Sequence, residues 1–201
     1  MITELSLKEI VLEDERVLLR QLTSADYNLL LPFAIEQPEL WRYSMVSPAG
    51  ADGMKVYIET SLKNKITGVE YPFIVFDKKQ NAYAGSTRFY DIQQGNLSSQ
   101  LGYTWYGKDF QRTGLNRHCK FLLLQFAFEE WGLERVEFRA DADNDRSIAA
   151  MKAIGCTVEG ILRSHTPTFT GTRRNSIILS ILKDEWFDHV KTELSKKIYK
   201  E

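Results

Sequence analysis

Cysteine is scarce in this chain: Cys119 and Cys156 are the only two in 201 residues. Two distant thiols make neither the disulfide framework of a small secreted domain nor the paired motifs of a zinc site. Both stand in or beside helical context, so they read as small buried hydrophobes in a reducing cytoplasm, and no metal is expected. Charge of one sign is lacking too, with 26 Lys and Arg against 27 Asp and Glu and a formal net charge of −1. That balance gives no bulk electrostatic reason to expect nucleic acid or an anionic membrane as partner. No apolar run approaches the ~20 residues that span a bilayer. Residues 1–15 carry acids rather than a basic-then-apolar leader, so a cytoplasmic protein is expected. Repeats, low-complexity tracts and a Gly-x-x-x-x-Gly-Lys-Ser/Thr phosphate loop are all missing, and the last of these disfavours a Walker-type nucleotide enzyme.

What is present is ordinary globular material, 43% apolar and 26% charged. At this length a single domain with a substantial core is expected over residues 1–201. After a polar, acidic lead-in over residues 1–15, irregular or a short strand, Val17 to Leu22 reads as a first strand. Thr23-Ser24-Ala25-Asp26 has N-cap chemistry and opens an apolar helix to about Phe33. Pro32 and Pro38 fence off a loop holding Trp41, Arg42 and Tyr43. An amphipathic helix follows from Asp52 to Lys65 and ends at Gly68. The period then changes: Tyr71 to Asp77 and Ala82 to Asp91 make a hairpin, and Ser99 to Tyr106 returns as a third strand. Helix 116–131, strand 135–140, helix 145–154, strand 157–162 and strand 176–182 complete the order, with a charged helix or tail from Asp184. The pattern predicts a mixed α/β sheet of about six to seven strands with helices on both faces.

The chain is organised around Gln111-Arg112-Thr113-Gly114-Leu115-Asn116, the turn that opens its most apolar helix. A strand that passes through a short polar loop into a helix leaves backbone N–H groups unpaired at the positive end of the helix dipole. Such a turn suits a pyrophosphate, with Gly114 allowing close approach and Arg112 and Arg117 adding charge. Along that helix Cys119, Leu122, Leu123, Phe126 and Ala127 form one stripe, and Phe121, Leu124 and Phe128 a second. The second cover could be the C-terminal segment, the N-terminal helices or a partner subunit in a homodimer. A second capped segment runs from Asn144-Asp145-Arg146-Ser147 to Gly155-Cys156, between two strands.

Taken together, Gln111-x-x-Gly114-x-Asn116, Asn144-x-x-Ser147, Gly155-Cys156 and Glu159-Gly160-Ile161-Leu162-Arg163 resemble the GNAT superfamily of acetyl-CoA-dependent N-acetyltransferases. The last run is similar to the branch containing the ribosomal-protein N-terminal acetyltransferases. The resemblance extends from the first strand to about Trp186. It implies a mostly antiparallel GNAT-like sheet and acetyl-CoA as co-substrate. Its pyrophosphate would lie on the turn of Gln111, Arg112, Thr113, Gly114, Leu115, Asn116 and Arg117, and its pantetheine arm along Tyr103, Thr104 and Trp105. A backbone N–H of that strand would polarise the thioester carbonyl. Asn144 would bind the arm, and Ser147 would stand near the sulfur to protonate the departing thiolate. The implied reaction is direct acetyl transfer to a primary amine, a small molecule or a peptide N-terminus, in a ternary complex.

Three positions depart from the family pattern. Met151 stands where many relatives have the Tyr that protonates the thiolate, Gln100 where they have a basic Glu, and Asn116 where they have Gly or Ala. The departures favour an alternative reading, a non-catalytic acyl-CoA sensor or partner-binding module. Candidates for the general base are His118, His165, Glu70 and Asp91, beside a water-mediated route. Trp41, Tyr43, Tyr90 and Phe169 are read either as core or as the walls of an acceptor pocket. Arg163, His165, Arg173 and Arg174 read as a solvated cationic loop, or as a group that steers an acidic acceptor.

Overall fold

The computed structural model describes residues 9–199. Its strands are β1 Val11–Glu13, β2 Val17–Gln21, β3 Glu70–Asp77, β4 Ala82–Gln93, β5 Ser98–Tyr106, β6 Arg135–Asp141, β7 Thr157–Pro167 and β8 Arg173–Leu182. Its helices are α1 Tyr27–Glu36, α2 Gly50–Ile66, α3 Leu115–Gln125, α4 Asp145–Ala153, α5 Lys183–Glu185 and α6 Lys191–Ile198. A π-helical turn, Phe126–Glu130, extends α3, and another, Trp186–Val190, joins α5 to α6. The strands form one sheet in the order β1-β2-β3-β4-β5-β6-β8-β7. Every pairing is antiparallel except β5 with β6. The sheet is therefore mixed and mostly antiparallel, as expected, but it has eight strands where about six to seven were expected. The difference is β1, drawn from the lead-in, whose residues 1–8 lie outside the described residues.

The helices divide between the faces according to their apolar stripes. Leu30 and Ala34 of α1 and Met54, Tyr57 and Ile58 of α2 pack with Leu22, Ile74 and Trp105 on one face. Leu115, Cys119 and Leu123 of α3, Met151 of α4 and Leu194 and Ile198 of α6 pack on the other. β3 explains why its run is apolar throughout. Side chains alternate across a strand, so Tyr71, Phe73 and Val75 enter the second cluster while Ile74 enters the first.

The two stripes of α3 are both covered, and the C-terminal segment supplies the outer cover. The Trp186 ring stacks on Phe128 at 5.8 Å and lies against Phe121 at the same distance, while Tyr199 reaches Phe121 at 6.4 Å. One boundary corrects the sequence reading. α1 does not stop near Phe33 but runs through Pro32 to Glu36. Leu30 and Ala34, four residues apart and both buried, anchor that turn firmly enough to override one missing N–H. Both cysteines are free and buried, and burial pushes each thiol up to about 12. No helix among the described residues is long and apolar enough to cross a membrane.

Candidate active site

The sheet opens at its centre. β5 pairs with β6 only over Ser98–Gln100 against Arg135–Glu137. Beyond that point β5 continues to Tyr106 and β6 to Asp141 with no ladder between them. A bulge helps to bend β5 away. The β4–β5 register shifts between Ser86 and Arg88, which are paired with Trp105 and Gly102, so Thr87 faces both Tyr103 and Thr104. Tyr103 takes a left-handed φ of 48° there. The gap is a cleft of about 940 Å³, within the usual range for small-molecule sites. Main-chain groups on the facing edges of β5 and β6 are left for a ligand to pair with.

One end of the cleft is the turn before α3. Arg112 and Gly114 both have left-handed φ, 62° and 89°, with Thr113 between them. Such a turn aims successive N–H groups into one concavity, and the first N–H groups of α3 add to it. Neighbouring side chains brace the turn. Gln111 donates through Nε2 to the Tyr106 carbonyl at 2.8 Å, and its Oε1 accepts from Arg146 Nη1 at 2.7 Å. Thr113 Oγ1 donates to the Phe110 carbonyl at 2.8 Å and accepts from Arg16 at 3.3 Å. Arg16 is in turn held by Asp77 at 2.9 Å. Arg112, Arg117 and Arg146 give this end its positive charge.

Across the split stands α4. Asn144 caps it, its Oδ1 accepting from the Ser147 N–H at 3.1 Å. That leaves the Asn144 amide NH2 and the Ser147 hydroxyl available on the cleft side. The floor is Lys120 on α3, which sequence reasoning did not assign. Its ammonium donates to Thr104 Oγ1 at 2.8 Å and more loosely to Thr87 Oγ1 at 3.4 Å, with the Phe138 ring 5.8 Å away. It meets no carboxylate among the described residues, and burial pulls its pKa down to about 8. The available signal was a Lys at the centre of an apolar helix with stripes on both sides. Its unpaired burial comes from tertiary structure.

The other end is walled by Tyr43, Tyr57, Tyr90 and Tyr103, with Trp41 beneath, and carries Arg139 and Arg174. Trp41 is 2% exposed and packs edge-on to Trp105 at 5.4 Å, so it is both core and wall. Phe169 is half exposed and is not a wall of this cleft.

Tyr103, Thr104, Trp105, Gln111, Arg112, Thr113, Gly114, Asn116, Arg117, Asn144 and Ser147 all line the cleft. Leu115 does not: its side chain is fully buried, so only its main chain faces the turn. His118 lies elsewhere. It projects from the opposite side of α3, with Nδ1 2.7 Å from Asp14 and its ring edge-on to Tyr199. A base must reach the amine it deprotonates, so this position corrects the assignment of His118 as a catalytic group.

The remaining base candidates are also outside the cleft. His165 donates from Nδ1 to Ser176 Oγ at 3.0 Å, while its Nε2 faces Arg139 at 3.4 Å. An arginine can only donate, so His165 is neutral, and burial with Arg139 and Arg174 holds its pKa below the usual value. Glu70 is ion-paired to Arg88 and accepts from Asn64 at 3.0 Å. Asp91 accepts from Gln100 at 2.7 Å. The carboxylates that do line the cleft are Glu39 and Asp141. Glu39 is held below the ordinary range by its bond to Lys108. Proton removal therefore falls to water, or the amine arrives neutral.

Comparison with known proteins agrees with this geometry. The acetyltransferase (GNAT) domain family matches over residues 16–157. A protein of Bacillus subtilis strain 168, named "Putative ribosomal N-acetyltransferase YdaF", is 26% identical over 179 residues, 86% of this chain and 94% of its own. A solved acetyltransferase structure from T. thermophilus superposes with a TM-score of 0.84 at 28% identity, covering 94% of this chain and 97% of that one. The ribosomal-protein-S5-alanine acetyltransferase of Vibrio fischeri shares the fold, with a TM-score of 0.72 at 18% identity over 88% of this chain and 98% of that one.

Proposed function

The chain belongs to the acetyltransferase (GNAT) domain family, and from that premise we propose that it moves acetyl from acetyl-CoA to a primary amine by direct transfer in a ternary complex. The observation that carries this reading is the cleft between β5 and β6 with the Gly114 turn at one end. A pyrophosphate fits the N–H groups of that turn, and the pantetheine arm fits the unpaired edge of β5 as an added strand. The thioester carbonyl would then accept from a main-chain N–H near Tyr103 or Thr104, which stabilises the oxyanion formed on attack. Ser147 and Asn144 stand on the opposite wall, with the Ser147 hydroxyl as proton donor to the departing thiolate. The likeness to YdaF makes a protein N-terminus the first acceptor class to try. Two buried free thiols suit a cytoplasmic location.

The test is thiol release from acetyl-CoA against N-terminal peptides, amino acids, polyamines and aminoglycosides, with calorimetry for acetyl-CoA alongside. Turnover on one class is the expected result. Tight binding with no turnover would favour the sensor reading, and absence of binding would overturn both.

A further inference from the structure

The acceptor end of the cleft holds a buried cation without an anion. Arg174 is 8% exposed and lines the cleft, yet its contacts among the described residues are neutral. Nε donates to Ser176 Oγ at 3.0 Å and Nη1 to the Tyr43 carbonyl at 3.1 Å. Nη2 has no partner among the described residues. Nearby groups do not supply the missing charge: Arg139 is committed to Glu137 at 2.6 Å and His165 is neutral. Asp141 acts on Arg174 only through space, and burial holds the guanidinium below its usual pKa.

Burying an unpaired charge costs several kcal/mol, so a fold that keeps one has a use for it. Here the fork is held by Ser176 and Tyr43 at the side of the cleft away from the phosphate turn. We propose that Arg174 binds a carboxylate of the acceptor, so that the acceptors of this protein are amines that also carry a carboxylate. The proposal rests on the acetyl-transfer reading of the same cleft. A planar guanidinium matches a carboxylate with two parallel hydrogen bonds. A phosphate dianion is served better by several cations, and only one here is uncompensated. The carboxylate could be the α-carboxylate of an amino acid or an acidic side chain near a peptide N-terminus. Wholly cationic acceptors such as polyamines would meet repulsion from Arg174 and Arg139.

Matched acceptors test this. Alanine against alaninamide probes the α-carboxylate, and C-terminally amidated peptides beginning with Glu or Gln probe the side chain. The carboxylate member of at least one pair should have at least about 10-fold higher kcat/KM. Arg174→Met should collapse that ratio to about one through KM while leaving the acetyl-CoA Kd unchanged, and Arg174→Lys should restore part of it. A wild-type ratio near one in both pairs, an unchanged ratio in the variant, or preference for spermidine would overturn the proposal. So would a parallel loss of acetyl-CoA affinity in Arg174→Met, which would make the residue structural. Binding separates this from failure of the transfer reading. N-acetylglutamate and N-acetylalanine should bind the CoA-saturated protein more tightly than their amides whether or not any amine turns over. Equal binding would sink the carboxylate site by itself.

Discussion

Gln111 and Arg146 are joined by a 2.7 Å hydrogen bond between the turn before α3 and the first turn of α4. Two segments that are separate signals in the chain are one brace across the mouth of the cleft. Gln111→Ala and Arg146→Ala should each weaken acetyl-CoA about 5-fold or more, as a partly exposed charge-assisted bond is worth roughly 1 kcal/mol. Calorimetry on the double variant should show a loss smaller than the product of the two. Full additivity would mean that the bond does not shape the turn.

Gly114 has a φ of 89° as the residue before α3. A side chain there costs about 1–2 kcal/mol in backbone strain, more if β-branched. Gly114→Val should leave the circular dichroism spectrum native and weaken acetyl-CoA by about 10-fold or more. Unaltered affinity would place the pyrophosphate elsewhere.

Ser147 lines the cleft one turn into α4. Ser147→Ala should lower kcat while the acetyl-CoA Kd changes by less than about 2-fold, the pattern of a group that acts mainly in the transition state. A normal kcat would remove it as the proton donor.

Lys120 titrates near 8 rather than at the ordinary 10.5 because burial disfavours its charge. Between those values the unfolded chain binds the extra proton, so stability contributed at this site rises with pH across that window. Below it the penalty is complete. Lys120→Met should raise urea-unfolding stability near pH 7 by about 1–3 kcal/mol and remove this part of the rise toward pH 9.5. A loss of stability at about pH 7 would show that the bonds to Thr87 and Thr104 outweigh desolvation.

His118 and Asp14 form a largely buried pair, with side chains 10% and 6% exposed. His118→Ala leaves the Asp14 carboxylate without that partner, so it should cost about 1–3 kcal/mol in stability. kcat should not change at a temperature where the variant is folded. A large fall in kcat would return His118 to the reaction.

The β3–β4 hairpin, the α3 and α4 segments and the Gly114 turn were legible because each rests on neighbours in the chain: alternation, apolar stripes, caps and a glycine at a helix start. The longer extents of β7 and β8 were not, because Arg163, Ser164 and Arg173 are exposed and polar and are drawn into the ladder by partner strands. Helix α1 passes Pro32 for a similar reason, as packing of Leu30 and Ala34 outweighs a local stop signal.

By itself the sequence determined the mixed sheet, the helices on both faces and the turn able to cradle a phosphate, since these follow from short-range periodicity and capping. Tertiary structure decided where β5 and β6 separate and which side chains that gap exposes. It turned His118 away from the cleft and left Lys120 and Arg174 buried without an acid. Burial and charge pairing depend on residues far apart in the chain: the Tyr43 carbonyl and Arg174 are 131 positions apart. No local pattern records such a distance.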